Sequence, residues 1–289
     1  MSFITKYGSM WGLTPRRQGR VHFVAPANSY TVDGRTYSAS DNNNGLAPEV
    51  ALRTIAQAIT NATANAGDVI YLLAGTHTVT AMIAVNKAGL AIVGPQPASL
   101  TAGKPPRFVL PAAVVSGRGT NVHLWNITVS DTEIGWLGFR WAPGFDAMTF
   151  QTTNALENLY IHDCYFDMSP VTASTYTRGI NFQHRAVTVS QRTAQVAATL
   201  SVATAYVGNC TFDATGAQGP GVLTATCSVE VVGCRFNNVS GTWATPFMVA
   251  TGTINTLVQE CIFTTAGTMG AITPASDALT LGADAIAFY

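Results

Sequence analysis

Charge is what this sequence has least of. Only 10% of its 289 residues are Asp, Glu, Lys or Arg, against about 25% in an ordinary globular protein. Fifteen basic and fifteen acidic residues cancel, so no net basic field exists to neutralise a phosphate backbone, and nucleic acid is not an expected partner. Long apolar runs are missing too. The longest, Val69–Ala74, is strand-sized and far too short to cross a membrane as a helix. The opening MSFITKYGSMWGLTPRRQGR breaks its apolar pieces at Gly8, Gly12 and Pro15. No signal-peptide core is visible in it, so synthesis in the cytoplasm is expected. Five cysteines cannot all pair internally, and they lack CxxC or HxH spacing. Neither a disulfide framework nor a metal site is expected from them, and no cofactor is implied. Scarce charge also means little colloidal repulsion. With a mean hydropathy of +0.23, part of the surface is expected to be covered in an assembly.

What the chain does have is a repeated phrase. Leu159-Tyr-Ile-His-Asp-Cys164-Tyr-Phe166-Asp167 returns as Ala205-Tyr-Val-Gly-Asn-Cys210-Thr-Phe212-Asp213. It returns again as Val229-Glu-Val-Val-Gly-Cys234-Arg-Phe236-Asn237 and as Thr256-Leu-Val-Gln-Glu-Cys261-Ile-Phe263-Thr264. A cysteine-free fifth version is read at Val122-His-Leu-Trp-Asn-Ile127-Thr-Val129-Ser130. The last two cysteine intervals are 24 and 27 residues, a period that fits one coil of a β-solenoid. The earlier intervals, 37 from Ile127 and 46, fit either one coil with an insertion or two ordinary coils. Each phrase alternates apolar residues, passes a small or polar residue, then reads Cys-x-Phe. That pattern describes two short strands meeting at a bend. Cys164, Phe166, Cys210, Phe212, Cys234, Phe236, Cys261 and Phe263 are expected to point inward as a core ladder, each coil stacking on the next. Cys227 lies outside the phrase and is expected to be buried as well.

The front end differs. Asp41–Gly45 is turn-rich, and Ala51–Thr63 shows helical spacing with Leu52, Ile55, Ala56 and Ile59 on one side. Gly67-Asp68 closes it before the first strong strand at Val69. An amphipathic helix here would cover the open end of a solenoid core. The expected organisation is an N-terminal arm over 1–25, an opening segment with capping helix over 26–68, and a parallel β-helix over 69–289. The last carries an aromatic-rich insertion near 131–150.

The residues Asp41–Gly45, Pro48-Glu49, Leu52-Arg53-Thr54-Ile55, Ala58-Ile59, Gly67-Asp68-Val69-Ile70 and Leu73-Ala74-Gly75-Thr76-His77 resemble the opening of pectin-lyase-like proteins. There the segment reads approximately DGxSPExPxxTIxxAxxxAxxGDxIxLxPGTY. The Cys-x-Phe phrases resemble the later coils of that family, and the likeness spans about residues 20 to 265. It implies an all-β fold, a single-stranded right-handed parallel β-helix with an N-terminal capping α-helix. The family holds polysaccharide lyases, glycoside hydrolases, tailspikes, adhesins and virion proteins, so the fold alone does not name a function. Lys6-Tyr-Gly-Ser-Met-Trp11-Gly12, then Gly19–Pro26 and Tyr30–Tyr37, look like small β-helix virion proteins of tailed phages. That resemblance implies a virion location and a homotrimer. It further implies a capsid decoration (cement) role on the lattice of the major capsid protein or beside other virion proteins. The alternative is a tailspike-like protein that binds or cleaves a surface glycan.

If the chain is an enzyme of this fold, clustered carboxylates and a basic residue must supply its chemistry. The candidates are Asp131, Glu133, Asp146, Asp163, Asp167 and Arg178, with Arg140, Arg185 and His162 as further possibilities. Asp163 and Asp167 correspond to Asn209 and Asp213 in the next phrase, which suggests turn residues bonded to local backbone. The aromatic stretch Ile134–Phe150 suits an interface, packing or a sugar platform. Interface candidates are therefore Trp136, Trp141 and Phe145, together with Trp11 and the basic knot Arg16, Arg17 and Arg20.

Overall fold

A computed structural model describes residues 19–96, 110–117, 124–141, 146–150, 156–168, 178–182, 204–214, 222–224, 228–238, 247–249, 256–265, 279–281 and 286–288. Apart from an antiparallel hairpin of Ser29–Val32 and Arg35–Ser38, its strands belong to three parallel sheets, and each sheet takes one strand from each successive turn of the chain. A first rung, Val21–Val24, precedes coil 1, whose three strands are Val69–Leu72, Gly75–Val79 and Ile83–Val85. Coil 2 is Ala91–Val93, Ala113–Gly117 and Trp125–Ile127, and coil 3 is Glu133–Gly135, Leu137–Arg140 and Asp146–Phe150. Coil 4 is Leu159–His162, Tyr165–Asp167 and Arg178–Asn181; coil 5 is Thr204–Gly208, Thr211–Ala214 and Val222–Thr224. Coil 6 follows with Ser228–Val232, Arg235–Asn238 and Phe247–Val249. Coil 7 adds Thr256–Gln259 and Cys261–Thr265, and coil 8 adds Leu279–Leu281 and Ile286–Phe288. Stacking runs strictly in sequence order. This is a parallel β-helix.

Register explains the repeated phrase. On the second face Phe139, Phe166, Phe212, Phe236 and Phe263 are successive partners, and all five are buried. Their rings stack at centroid distances of 5.1, 4.7, 4.9 and 5.0 Å. Two positions earlier in each phrase stand Cys164, Cys210, Cys234 and Cys261, all buried free thiols. The Cys164, Cys210 and Cys261 thiols each donate to the carbonyl two residues back, at 3.2, 3.4 and 3.3 Å. The carbonyls of Cys164, Cys210 and Cys234 accept N–H bonds from the next coil at 2.8 Å each. A cysteine fits because the site needs a small apolar side chain with a weak donor.

The bend before each of these strands is one residue in the left-handed region. Trp136, Asp163, Asn209, Gly233 and Glu260 have φ of 53, 51, 52, 64 and 50°. Asp, Asn and Gly accept that conformation readily, while Trp and Glu pay a steric cost. A second corner, leading back to the first face, repeats the device at Gly67, Gly89, Asp131 and Asn158, with φ of 74, 74, 55 and 55°.

The N-terminal end is closed by the α-helix Ile55–Asn61. Thr54 caps it, its hydroxyl accepting from Gln57 N at 3.1 Å. Asp41 braces the cap by accepting from Arg53 N and Thr54 N at 3.0 and 2.8 Å. Lys87 donates to the Thr60 carbonyl at 2.7 Å and to that of Ala62, a cation at the negative end of the helix. Ile55, Ala58 and Ile59 face the core.

Several expectations need correction. The helix is shorter than Ala51–Thr63: Leu52 lies in extended backbone bridged to Val24, and Ala56 is exposed. The segment expected as an arm over 1–25 already contains the first rung, Val21–Val24, paired with Val69–Leu72. The aromatic stretch near 131–150 is no insertion, because its strands form coil 3. The fifth phrase was misplaced: Trp125–Ile127 belongs to the third face, and the true counterpart of Cys-x-Phe in coil 3 is Leu137-x-Phe139. The 46-residue interval is one coil with an insertion, since Tyr160 pairs directly with Tyr206.

Phe212 sits mid-column with a ring on either side, so Phe212→Ala should lower unfolding free energy by about 3–5 kcal/mol. Denaturant unfolding followed by far-UV circular dichroism measures this.

Candidate functional site

Two polar clusters flank the corner between the first and second faces. The first centres on His162. Alternation along Leu159–His162 turns Leu159 and Ile161 inward and leaves Tyr160 and His162 outward. The imidazole nevertheless lies buried, over Gly135 of the coil below, where an added Cβ would meet the ring at 2.5 Å. Tyr160 and Trp136 cover it at centroid distances of 4.5 and 4.6 Å. Its Nδ1 lies 2.8 Å from Asp163 Oδ2 and its Nε2 lies 3.2 Å from Glu133 Oε1. Burial alone would push this imidazole down; hydrogen bonds to Asp163 and Glu133 outweigh it and hold it up at about 9. It is therefore an imidazolium at neutral pH, clamped between carboxylates on opposite ring edges. Because the two acids sit on opposite edges, they do not converge on a common metal position, and no metal-holding group of three occurs among the described residues.

The second cluster lies on the outer side of the second face. Asp167 follows Phe166 and so points outward; it accepts from Arg140 Nε and Nη2 at 2.9 and 2.6 Å. Arg140 is its register partner on coil 3. Asp213 is its partner on coil 5. Asp213 accepts from the Tyr165 hydroxyl on coil 4 and from Asn237 Nδ2 on coil 6 at 3.0 Å. Burial, then the bond to Asp213, pushes the Tyr165 phenol well above its usual range, so it donates and does not act as a base.

Of the sequence candidates, Glu133 and Asp163 meet at His162, and Asp167 meets Arg140. Asp131 stands apart at the other corner, where it accepts from Asn158 Nδ2 at 3.0 Å. Asp146 and Arg178 are register partners on the third face, but their side chains lie outside the described residues. Asp167 is not a turn residue, which corrects the earlier expectation. Asp163 does occupy a bend, yet its carboxylate serves His162. Trp136 and Trp141 are buried within the chain; Trp141 packs edge-on against Phe166. Trp11, Arg16, Arg17, Phe145, Arg185 and Cys227 lie outside the described residues. Arg20 is exposed, and its backbone N–H donates to Asp68 at 2.7 Å. Sequence reasoning missed Tyr165, Asp213 and Asn237 as a bonded group. The signal was present: alternation past the inward Phe puts the following Asp167, Asp213 and Asn237 outside on coils 4, 5 and 6.

A second buried histidine lies at the N-terminal end. His22 faces Asp68 at 3.6 Å, and Asp68 ties the first rung to the helix end by accepting from Arg20 N and Thr63 N, each at 2.7 Å. Burial holds the His22 imidazole below its usual value despite Asp68.

The class these features define is a parallel β-helix with bonded polar clusters on its outer faces. No family model matches the sequence, and no curated protein matches it. Among solved structures, a rhamnogalacturonan lyase is 10% identical at a TM-score of 0.36, covering 94% of this chain and 87% of that one. ORF18 of Geobacillus virus E2 is 14% identical at a TM-score of 0.26. That match covers 81% of this chain and 57% of that one. Likenesses this distant say nothing of activity or partner.

The two histidines have opposite pH signatures. The raised His162 contributes stability that is fully present below about pH 6.5 and lost as pH rises through about 9. The lowered His22 favours the neutral form, so its contribution is present above pH 6.5 and lost as pH falls. In unfolding titrations, His162→Gln should flatten the alkaline loss.

Proposed function

We propose that this chain is a non-catalytic structural protein of a tailed-phage virion, a decoration protein that binds the major capsid protein lattice and stabilises the head. One observation supports the non-catalytic part. Each described candidate carboxylate is already held: Asp131 by Asn158, Glu133 and Asp163 by His162, Asp167 by Arg140, and Asp213 by Tyr165 and Asn237. All but the Asp163 bond run from one coil to another, so the side chains are used as ties between coils. The virion part draws on the likeness of the Lys6–Gly12 and Gly19–Pro26 segments to small phage β-helix proteins, and on the scarcity of charge. Mass spectrometry and cryo-electron microscopy of purified particles test it. The expected result is this chain in hundreds of ordered copies on the shell. Its absence from the particle would refute the proposal.

A second reading has one specific observation in its favour. Asp167 and Asp213 share a register on adjacent coils, about 4.8 Å apart in backbone, close to the roughly 5–5.5 Å between carboxyls in retaining glycosidases. A tailspike-like enzyme would appear as a few copies at the tail. It would release reducing ends from host polysaccharide, and Asp213→Asn would abolish that release.

A further inference from the structure

Charge is divided among the faces of the solenoid. The strands of the first face in coils 3 to 7, with the corners at either end of them, carry Asp131, Glu133, Glu157, Asp163, Glu230 and Glu260. No Lys or Arg stands in those segments, residues 131–137, 156–164, 204–210, 228–234 and 256–261. Six acids against the one His162 imidazolium leave the face at −5. On the second face of the same coils Arg140 and Arg235 balance Asp167 and Asp213. All six acids of the first face lie in described structure, and Glu157, Glu230 and Glu260 are exposed.

An aromatic floor lies among these acids. Glu133, Tyr160, Tyr206 and Glu230 are successive register partners in one outward column. The two tyrosines are half-buried, and their rings stack at a centroid distance of 4.9 Å. In the adjacent column Gly135 and Gly208 stand on either side of His162. A Cβ at Gly135 would strike the His162 ring, and one at Gly208 the Tyr206 ring, so both rings lie down against the sheet. Among the described residues the helix and the antiparallel hairpin pack at the N-terminal end, and no helix or second sheet packs over this face.

We propose that this face docks a basic polypeptide segment, its Arg or Lys side chains lying on Tyr160 and Tyr206 and between the flanking carboxylates. A guanidinium stacks on a tyrosine ring and pairs with a carboxylate at the same time, so one residue type uses both features. Coils 3 to 7 span about 19 Å along the axis at about 4.8 Å per coil, the reach of about six extended residues. The charge selects among occupants. A second copy meeting this one face to face would set two acidic surfaces together and be repelled. An acidic polysaccharide is repelled in the same way, and a neutral one leaves the charge unused. The inference stands apart from the virion proposal, because it concerns the chemistry of a partner and not its location.

Fluorescence anisotropy of a labelled hexa-arginine peptide with the full chain, at 50 mM and 300 mM salt, tests the face. Binding is expected at 50 mM and should weaken by about fivefold or more at 300 mM, as screening shortens. Two double variants separate the face from net charge. Glu157→Gln/Glu230→Gln should weaken binding by about fivefold. Asp33→Asn/Glu49→Gln removes the same charge from the exposed N-terminal end and should leave binding within about twofold. Tyr206→Ala should weaken it by about threefold through loss of the stacking surface. Circular dichroism checks that each variant folds, and the double variants carry the test if Tyr206→Ala does not. Four results would each overturn the proposal: no binding at 50 mM, equal loss in the two double variants, a folded Tyr206→Ala that binds as tightly as the parent, or binding of neutral maltohexaose in place of the peptide.

Discussion

Stacking in register is the constraint on which everything else in this molecule depends. A single coil buries nothing; its inward side chains become core only when the same side chains of the next coil lie over them. That requirement repeats Phe in one column and Cys in another, with rings about one strand spacing apart. It also fixes the corners. If the bend moved by one residue, alternation would turn every Phe of that face outward, so a left-handed residue is held at the same place in five coils. Trp136 and Glu260 tolerate that conformation because the register on either side leaves no alternative.

The same constraint governs the few charges. Register places outward polar residues of adjacent coils about 4.8 Å apart, within reach of one another. Arg140 meets Asp167, Tyr165 and Asn237 meet Asp213, and Glu133 meets His162. A chain with so little charge has placed much of it where coils can be tied. Closing the N-terminal end takes a different device, since among the described residues no coil lies above the first rung. The strand edge is met there by backbone bonds from Gly45 and Leu52, and the core is covered by a helix pinned at both ends by Asp41 and Lys87.

Much of this was legible in the sequence, and the reasons are specific. Cys-x-Phe recurs because the core demands it, so solenoid, period and ladder could all be read from one phrase. The 46-residue interval was ambiguous, because an insertion leaves the register of flanking strands unchanged and carries no pattern of its own. Leu137-x-Phe139 was overlooked since Leu fills the cysteine position equally well, and Ile127 in a similar setting drew the phrase to the wrong face. Asp167 and Asp213 were read as turn residues from composition, although alternation already put them on an outer face. The pairing of Glu133 with His162 was beyond reach: the partners are 29 residues apart, and only the coil register brings them together.

The claim that the outer carboxylates serve the stack and not a reaction is tested most directly by the stability of Asp213→Ala. If Asp213 is a tie, its loss leaves the Tyr165 hydroxyl and the Asn237 amide without their acceptor, and unfolding free energy should fall by about 1–2 kcal/mol. Catalytic carboxylates are commonly held at a cost to stability, so removing one leaves the fold as stable or more so. Unchanged or increased stability of Asp213→Ala in denaturant unfolding would contradict the structural reading.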